Sequence, residues 1–267
     1  MGRVVSRLWS NHGEQFSLEG KVAIITGGNG GIGRAIALGF RAAGAAVVVT
    51  GRDELKNTRM AGELGHSGLV VRADVRDEDA MAAVVAEASQ RFGRLDVVVN
   101  NAGIGGRAAF LEMSLDTWRT MLDTHLTGMF ITSRFAALEM IRLGGGGSII
   151  NIGSMYSLFG PPASSHYATS KAGVLGFTRA LAVELSRHDI RVNAILPGWI
   201  HTDMTGSVPA IAVDGIRDKI PLGSFGVPDD LVGTALLLAS GAGGYLTGAE
   251  IAVDGGYRVA DRPVPRS

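Results

Sequence analysis

The sequence contains no cysteine, so disulfide bonds and thiol catalysis are excluded, and the protein fits a reducing cytoplasm. It has no excess of either charge, because 25 basic residues balance 25 acidic ones, and no overall field favours nucleic acid or an anionic membrane. No apolar run approaches the ~20 residues of a membrane span. These absences predict a cytoplasmic protein whose partner is neither nucleic acid nor a membrane.

The chain also lacks a linker, since no Pro/Ser-rich stretch, low-complexity tract or internal repeat divides it. We predict a single domain over residues 18–267, in which 46% hydrophobic residues suffice for a buried sheet. Residues 1–17 lack the apolar segment of a secretory signal. We interpret them as a surface or interface arm, with a short organelle-targeting helix as the alternative. The six histidines show no pairing at metal-ligand spacing, so no metal is expected.

What is present begins with a glycine-rich turn between a predicted strand and a predicted helix. Residues 22–26 form a short β-branched apolar run, and residues 34–43 follow a helical rhythm. The turn fits two dinucleotide-binding patterns, G-x-G-x-x-G through Gly28, Gly30 and Gly33, and T-G-x-x-x-G-x-G through Thr26, Gly27, Gly31 and Gly33. Glycines let the backbone approach a pyrophosphate, which the free N–H groups of a helix N-terminus bind. A turn without a ligand is the alternative in a chain with 39 glycines, but the flanking strand and helix favour a nucleotide site.

A second motif places a tyrosine four residues before a lysine, so that Tyr167 and Lys171 share one helix face. Tyrosine normally keeps its proton up to pH ~10, and a fixed cation beside it lowers that pKa. Ser154 lies thirteen residues before the tyrosine, where its hydroxyl could hold a substrate oxygen. We interpret the trio as a proton-transfer device for a carbonyl or an alcohol.

Together these motifs resemble the short-chain dehydrogenase/reductase family, over roughly residues 18 to 257. Further motifs of that family follow in order: Asp74-Val75, Asn100-Asn101-Ala102-Gly103, Pro197-Gly198 with Thr202, Thr247-Gly248, and Val253-Asp254-Gly255-Gly256. The resemblance implies hydride transfer at the C4 of a nicotinamide, with Tyr167 as acid or base, Ser154 polarising the substrate oxygen and Lys171 holding the nicotinamide ribose. It implies cofactor contacts from Gly27, Asn29, Gly31, Ile32, Gly33, Arg52, Asp74, Val75, Asn101, Ala102, Gly103, Tyr167, Lys171, Pro197, Gly198, Ile200 and Thr202. Because family members are usually tetramers, it also implies a homotetramer.

Strands and helices alternate along the chain in a way that requires a parallel sheet. Predicted strands are 22–26, 46–50, 68–72, 97–100, 148–152, 192–195 and 250–253, and predicted helices are 31–43, 78–92, 117–142, 167–187 and 229–239. Right-handed crossovers then give an α/β fold, a Rossmann-like doubly wound parallel sheet with helices on both faces. Its ligand crevice lies at the carboxyl ends of the strands, where the glycine turn, Asn101, Ser154 and Pro197 should converge.

The residue that ends the second strand bears on the choice of nicotinamide. NAD-specific members of the family carry an acid there, whereas here Gly51 is followed by Arg52. Arginine can grip a 2′-phosphate with its planar fork and stack on adenine. We therefore predict NADP(H), with NAD(H) as the alternative because Asp53 is adjacent and the glycine turn holds no second cation. Asp74 is expected to meet the adenine amino group, or to cap the helix that starts near Arg76.

At one catalytic position the chain departs from the family, because His125 stands where an asparagine is expected in a pattern like N-x-x-G. That asparagine usually helps to bend the helix and to hold a water in the proton relay to the lysine. We favour a neutral His125 that takes over the water contact. The alternatives are a ring that titrates near neutrality and changes the pH profile, and a ring that packs passively.

The substrate pocket is expected to be lined by the loops after the fourth, fifth and sixth strands, with Arg107, Met155, Tyr156 and Trp199 as substrate contacts. Arg107 stands where sugar-acid dehydrogenases of this family often carry an arginine, which could pair with a carboxylate. An exposed loop arginine is the alternative. A lid is predicted over residues 203–222, where periodicity is weak and Gly and Pro interrupt the chain.

The predicted activity is the interconversion of a secondary alcohol and a ketone, with a sugar acid or polyol as the substrate. A 3-oxoacyl-thioester reductase is the alternative enzyme. Enoyl reductases generally space the tyrosine and lysine more widely, so reduction of a carbon–carbon double bond is disfavoured. A non-catalytic nucleotide-binding regulator is a further alternative, which the intact Ser154, Tyr167 and Lys171 oppose.

Overall fold

Parallel strands form one seven-stranded sheet in the computed structural model, which describes residues 12–207 and 210–260. The strands are β1 (Val22–Thr26), β2 (Ala46–Gly51), β3 (Gly68–Arg72), β4 (Val97–Asn100), β5 (Gly147–Ile152), β6 (Ile190–Pro197) and β7 (Glu250–Val253). Their order across the sheet is β3-β2-β1-β4-β5-β6-β7. The predicted fold class is therefore confirmed, and the predicted strand ends agree with the observed ones to within two residues.

The described ranges contain eight α-helices, several of which cover the two faces of the sheet. They are α1 (Gly31–Ala42), α2 (Glu54–Leu64), α3 (Glu78–Phe92), α4 (Leu115–Leu122), α5 (Gly128–Leu143), α6 (Ser165–Leu185), α7 (Ala210–Arg217) and α8 (Val232–Ala239). No helix in this part of the chain has the length and apolar character needed to cross a bilayer.

The sheet is buried on both faces because its strands are runs of β-branched and other apolar residues. All five residues of β1 are buried. On one face the core is built around Phe40 of α1 and Leu238 of α8, and on the other around Val84 of α3 and Met140 of α5. A parallel sheet covered by helices on both sides has this continuous apolar pattern.

Three features of the helices differ from the prediction. Helix α2 is absent from it because only Met60 and Leu64 are buried apolar residues on this helix, so its hydrophobic period is weak. The predicted helix 117–142 is interrupted by a π-helical turn, Asp123–Thr127, between α4 and α5. The predicted lid contains α7, and its residues 208 and 209 lie outside the described ranges. Of the predicted N-terminal arm, residues 1–11 also lie outside them, and His12–Phe16 form a 3-10 turn.

The order of the strands reverses at β1, which pairs with β2 on one side and with β4 on the other. At such a point the loops after the two central strands diverge and leave a crevice at their carboxyl ends. The glycine turn after β1 and Asn101 after β4 stand at this crevice, while Ser154 after β5 and Pro197 at the end of β6 continue the same edge.

Candidate active site

Ser154, Tyr167 and Lys171 come together at the carboxyl end of β5. Tyr167 and Lys171 lie one turn apart near the start of α6, and Ser154 lies two residues beyond β5. The Ser154 hydroxyl hydrogen-bonds to the Tyr167 phenol. Lys171 donates from Nζ to the carbonyl of Ile152 at 2.8 Å, and the same Nζ lies 5.8 Å from the centre of the Tyr167 ring. The three side chains predicted from sequence therefore form one cluster.

A short 3-10 turn fixes the position of the serine. Ser154 Oγ accepts a hydrogen bond from the amide of Tyr156 at 3.1 Å, and the hydroxyl of Ser157 accepts one from the amide of Ser154 at 3.2 Å. This reciprocal capping holds the turn rigid. Met155, predicted as a substrate contact, is only 2% exposed, so its side chain offers almost no surface to a substrate.

Burial controls the protonation of this cluster. It raises the pKa of the Tyr167 phenol, and the hydrogen bond from Ser154 opposes that rise. It also lowers the pKa of Lys171 to about 7, because an ammonium group loses its hydration inside the protein. The sequence predicts that the lysine lowers the tyrosine pKa, whereas in the structure burial has the larger effect and the pKa of Tyr167 lies above its ordinary value. The reason is that the same burial which raises the phenol pKa also destabilises the charge of the lysine.

His125 lies in the middle of the π turn and is 2% exposed. Its Nε2 is 2.8 Å from the carbonyl oxygen of Ile104, to which it donates in the tautomer protonated at that nitrogen. The ring meets Tyr167 edge-on, with the ring centres 5.5 Å apart. A Cβ on Gly103 would lie 2.5 Å from Cε1 of the imidazole, so this approach requires a glycine. His125 thus ties the π turn to the loop after β4.

The imidazole of His125 is neutral at physiological pH. Its pKa is lowered to about 3, first because the ring is buried and second because Lys171 is near. The interpretation in which this ring titrates near neutrality is therefore wrong. Participation of the neutral ring in a proton relay stays a prediction.

The turn after β1 forms a cradle of backbone with almost no side chains. Gly27 has φ +61°, and a Cβ there would lie 2.9 Å from Cα of Ala102. A Cβ on Gly33 would overlap the side chain of Asn101. Helix α1 starts after Gly30 with no side-chain cap, so its first amides remain free to bind an anion. This arrangement fits the pyrophosphate of a dinucleotide.

Thr26 and Asn101 join the cradle to the loop after β4. Asn101 Nδ2 donates to the carbonyls of Thr26 at 2.9 Å and Gly27 at 3.0 Å. The hydroxyl of Thr26 accepts from the amides of Asn101 at 3.0 Å and Ala102 at 3.1 Å. Both Asn101 and Ala102, predicted as cofactor contacts, therefore lie against the glycine turn, and the Asn101 side chain braces it.

A neutral amide fills the space beside the end of β2. A Cβ on Gly51 would overlap the side chain of Asn29, so an acidic side chain cannot occupy this position without displacing the asparagine. Asn29 Nδ2 donates to Asn57 Oδ1 at 2.8 Å, and Asn57 Nδ2 donates to the carbonyl of Gly51 at 2.9 Å. Asp53, the nearest carboxylate in sequence, caps α2 by accepting from the amide of Lys56 at 3.0 Å.

Arg52 and Asp74 face each other at the same corner. Arg52 Nη1 is 3.6 Å from Asp74 Oδ2, and Arg76 Nη2 is 2.7 Å from the same oxygen. Hydrogen bonds from Arg76 lower the pKa of Asp74 to about 2. The alternative in which Asp74 caps α3 is wrong, because Asp77 does so by accepting from the amide of Ala80.

Other predicted cofactor contacts use their side chains for packing. Val75 is 7% and Ile200 is 4% exposed, so only their backbone groups remain for a ligand. Ile32 is partly buried against the core. Thr202 lies over the cradle, where its Cγ2 would be 3.3 Å from a Cβ on Gly31.

The loop after β6 also passes close to β7. The amide of Gly198 donates to the carbonyl of Val253 at 2.9 Å, and a Cβ on Gly198 would lie 2.6 Å from Cα of Asp254. Together with Thr202 over the cradle, these contacts hold the loop between the last strand and the glycine turn.

Tyr156 and Trp199 form an aromatic wall beside Tyr167. The Tyr156 ring is perpendicular to both neighbours, with its centre 6.2 Å from that of Trp199 and 6.3 Å from that of Tyr167. Burial raises the pKa of Tyr156, so this phenol keeps its proton and is no base. The indole Nε1 of Trp199 is buried with no hydrogen-bond partner in the described part of the chain. Such a donor is available to a ligand.

Arg107 is exposed and borders a cavity of about 340 Å³, together with Asp116, Thr117 and His166. Its guanidinium has no acidic partner among the described residues. Its charge lowers the pKa of Tyr156 and so partly offsets the effect of burial there. This position suits both the predicted contact with a carboxylate and an exposed loop arginine.

Sequence reasoning misses three polar residues around the cradle. Lys56 and Asn57 lie on α2, and Asp203 follows Thr202. Lys56 Nζ and Asp203 Oδ2 are 2.6 Å apart. The available signal was Asp53 followed by helix-forming residues, which is a typical helix start.

Comparison with known proteins gives relatives that span nearly the whole chain. The family model described as enoyl-(acyl carrier protein) reductase matches residues 27–258. The 2-dehydro-3-deoxy-D-gluconate 5-dehydrogenase of Escherichia coli is 41% identical over 245 residues, which cover 91% of this chain and 97% of that protein. The 3-oxoacyl-(acyl-carrier-protein) reductase FabG of Thermotoga maritima is 39% identical over 246 residues, which cover 90% and 98%. The solved structure of a gluconate 5-dehydrogenase from Burkholderia cenocepacia in complex with NADP and tartrate has a TM-score of 0.88 and 33% identity, and the match covers 94% of this chain and 100% of that one.

The variant Lys171→Met should change stability in a pH-dependent way. Because the folded pKa of about 7 lies below the ordinary 10.5, the unfolded chain binds more protons between these values. The stability of the native protein therefore rises with pH in that window, by up to about 1.4 kcal/mol per pH unit. Below about pH 7, Lys171 is charged in both states, and the native protein carries the full free-energy cost of a buried ammonium group. The stability of Lys171→Met relative to the native protein should thus fall from about pH 6 to about pH 9.

Urea unfolding at the two pH values measures this difference. Lys219→Met removes an exposed lysine and is the matched control. The same pH dependence in both variants would contradict the effect assigned to burial of Lys171.

Substitutions of His125 should separate its hydrogen bond from its titration. His125→Asn keeps a polar side chain and should preserve the pH profile of turnover, because the imidazole is neutral above about pH 3. His125→Leu leaves the carbonyl of Ile104 without its partner and should lower kcat/KM by about tenfold or more. Steady-state rates over a range of pH measure both effects. An acidic limb that is present in the native enzyme and lost in His125→Asn would overturn the neutral assignment.

Proposed function

The chain belongs to the short-chain dehydrogenase/reductase family, and from this premise we propose that it interconverts a secondary alcohol and a ketone on a sugar acid, with NADP(H) as its cofactor. The protein is an NAD(P)-dependent oxidoreductase that acts on alcohol or ketone substrates, as its relatives are named. The observation that carries the proposal is the cluster of Ser154, Tyr167 and Lys171 at the same sheet edge as the glycine cradle.

Tyr167 is the residue that holds and moves the proton. In reduction it donates its phenol proton to the substrate oxygen, and in oxidation its phenolate takes that proton back. A bound nicotinamide supplies or takes up the hydride. The raised pKa of Tyr167 keeps the phenol protonated at neutral pH, which suits the donor role.

Ser154 and Lys171 support this proton transfer in different ways. The Ser154 hydroxyl, fixed by its 3-10 turn and bonded to the phenol, holds the substrate oxygen within reach of the proton. Lys171 uses one N–H on the carbonyl of Ile152 and keeps others for the ribose hydroxyls of the cofactor. Because the pKa of Lys171 lies at about 7, its charge changes near neutrality, and so does its effect on the phenol.

The preference for NADP(H) rests on the corner at the end of β2. A carboxylate there would repel a 2′-phosphate, and Asn29 already fills the space that such a side chain needs beside Gly51. Arg52 stands next to it and can bind a phosphate with its planar fork. A structural relative, the Burkholderia cenocepacia gluconate 5-dehydrogenase, is described in complex with NADP.

The sugar-acid assignment rests on Arg107 and on the relatives. The guanidinium of Arg107 has no acidic partner among the described residues, and its charge lowers the pKa of Tyr156, whose ring lies beside that of Tyr167. Asp116 borders the same cavity, and because like charges repel, a substrate carboxylate is assigned to the Arg107 guanidinium. The Escherichia coli relative is named for a substrate of this class.

We also propose a homotetramer built on α5 and α6. Exposed apolar side chains of these helices suit an interface, with Phe130 51%, Leu138 55% and Val183 77% exposed. Leu175 and Leu181, in contrast, pack into the core.

The proposed reaction is tested by following nicotinamide absorbance with NADPH and NADH against 5-ketogluconate and related keto-sugar acids, 3-oxoacyl thioesters and neutral cyclic ketones. Turnover of keto-sugar acids is expected. Tyr167→Phe should bind the cofactor normally and lose about 10²- to 10⁴-fold in turnover, because general acid–base catalysis contributes that much. Retained turnover in Tyr167→Phe would remove the assigned mechanism.

Arg107→Gln separates the substrate classes within the same assay. Its KM for a keto-sugar acid should rise about tenfold or more, while the KM for a neutral ketone changes little, because only the acid pairs with the guanidinium. If the thioesters are turned over and the sugar acids are not, the enzyme is a 3-oxoacyl-thioester reductase instead.

Arg52→Ala tests the choice of cofactor. Loss of a charge-assisted contact should weaken binding of NADPH by about tenfold to a hundredfold and leave binding of NADH almost unchanged. Calorimetric titration with each nucleotide measures this, with Arg59→Ala as a control for the loss of one exposed positive charge. Equal weakening of both nucleotides would contradict the assignment of Arg52 to the 2′-phosphate.

A further inference from the structure

One position in the glycine cradle is open on the side that faces helix α2. A Cβ on Gly30 would meet no atom closer than 3.8 Å, and the atoms at that distance are Cδ and Nζ of Lys56. The end of the Lys56 side chain therefore lies over the place where the glycine turn has no side chain of its own. The glycine turn contains no Lys or Arg of its own, but the ammonium group of Lys56 on α2 lies beside it in the folded structure.

The first turn of α2 is fixed to the cradle by hydrogen bonds. Asp53 caps the helix through the amide of Lys56, and the next residue, Asn57, bonds to both Asn29 and the carbonyl of Gly51. The backbone of Lys56 is therefore held in register with the glycine turn and with the end of β2. Lys56 lies four residues after Arg52, which follows β2 directly.

In the structure the ammonium group of Lys56 forms an ion pair with the carboxylate of Asp203. The two groups are 2.6 Å apart, and the side chains are 42% and 87% exposed, respectively. Asp203 follows Thr202, which lies against Gly31, so the ion pair crosses the mouth of the cradle. Exposed ion pairs stabilise proteins by only ~0–1 kcal/mol, so this one can exchange its carboxylate for a stronger anion.

We propose that Lys56 is the second cation for the 2′-phosphate of NADP(H), acting together with Arg52, and that it exchanges Asp203 for that phosphate when the cofactor binds. This rests on the preference for NADP(H) proposed above. A phosphate monoester carries about −1.5 to −2 charges and three acceptor oxygens, so it outcompetes a single carboxylate for a flexible ammonium group. NADH carries a neutral hydroxyl at this position. A hydroxyl binds an ammonium group more weakly than a carboxylate does, so with NADH the lysine stays paired with Asp203.

The pyrophosphate is a less suitable partner for Lys56. The free amides at the start of α1 already provide donors for a pyrophosphate. The bonds through Asn57 hold the backbone of Lys56 beside the end of β2, so its flexible side chain starts from the corner that carries Gly51 and Arg52. The lysine therefore adds to the adenosine side of the site.

Calorimetric titration of Lys56→Gln tests the assignment without any need for turnover. The probes are NADPH, NADH, and the fragments 2′,5′-ADP and 5′-AMP, which differ from each other in the 2′-phosphate alone. Binding of NADPH and 2′,5′-ADP should weaken by about tenfold, while NADH and 5′-AMP change by less than about twofold. Arg59→Gln removes a charge one turn further along α2 and should leave all four affinities nearly unchanged.

Asp203→Asn tests the exchange. Without its competing carboxylate, Lys56 should bind NADPH about threefold more tightly, and this gain should disappear in the double variant Lys56→Gln/Asp203→Asn. Thermal unfolding of each variant shows whether the fold is intact. A loss of NADPH affinity in Asp203→Asn would overturn the exchange, because it would mean that the ion pair itself is part of the binding site.

The outcomes separate this inference from the proposed function. If Arg52→Ala weakens NADPH selectively and Lys56→Gln does not, the choice of cofactor stands and the role of Lys56 is wrong. Equal weakening of NADPH and NADH in Lys56→Gln also overturns that role, because it points to a contact outside the 2′-phosphate. If the native protein binds NADH more tightly than NADPH, the cofactor proposal itself fails.

Discussion

The site depends on the seam between the loops that follow β1 and β4. Thr26 and Asn101 exchange hydrogen bonds there, and Gly27 and Ala102 approach so closely that neither loop can shift alone. This seam lies where the order of the strands reverses, so the crevice is created and braced at the same place. From Ala102 the chain runs directly into the segment against which His125 packs. The cofactor cradle and the substrate side are therefore held by one set of bonds.

Loss of hydration controls the protonation of the cluster of Ser154, Tyr167 and Lys171. The same low-dielectric surroundings push the proton affinity of Tyr167 up and those of Lys171 and His125 down. As a result the Tyr167 phenol is protonated at neutral pH, the pKa of Lys171 is about 7, and the imidazole of His125 is uncharged. A family asparagine could be replaced by histidine here because the buried ring is neutral, and so behaves as a hydrogen-bonding group of fixed charge.

The sequence predicts the parts of the fold that rest on local pattern. The strands are recovered because buried parallel strands are unbroken β-branched runs, and Ser154, Tyr167 and Lys171 are recovered because their spacing follows strand ends and helix turns. Helix α2 is missed because its apolar face is too small to give a period. The pair of Lys56 and Asp203 is missed because the two residues lie 147 positions apart, and no local pattern brings them together. The π turn around His125 is missed because one extra residue per turn hardly changes the spacing of apolar residues along the predicted helix.

The contact between Gly51 and Asn29 limits how cofactor preference can evolve. NAD-specific members of the family carry an acid at this position, yet the first side-chain carbon of an acid at position 51 would overlap an amide that Asn57 holds in place. A single mutation at position 51 therefore meets a steric barrier before it gains a new contact. An acid at position 51 therefore requires that Asn29 be displaced or replaced by a smaller residue. The order of these two mutations matters, because replacement of Asn29 first removes the steric barrier to an acid at position 51.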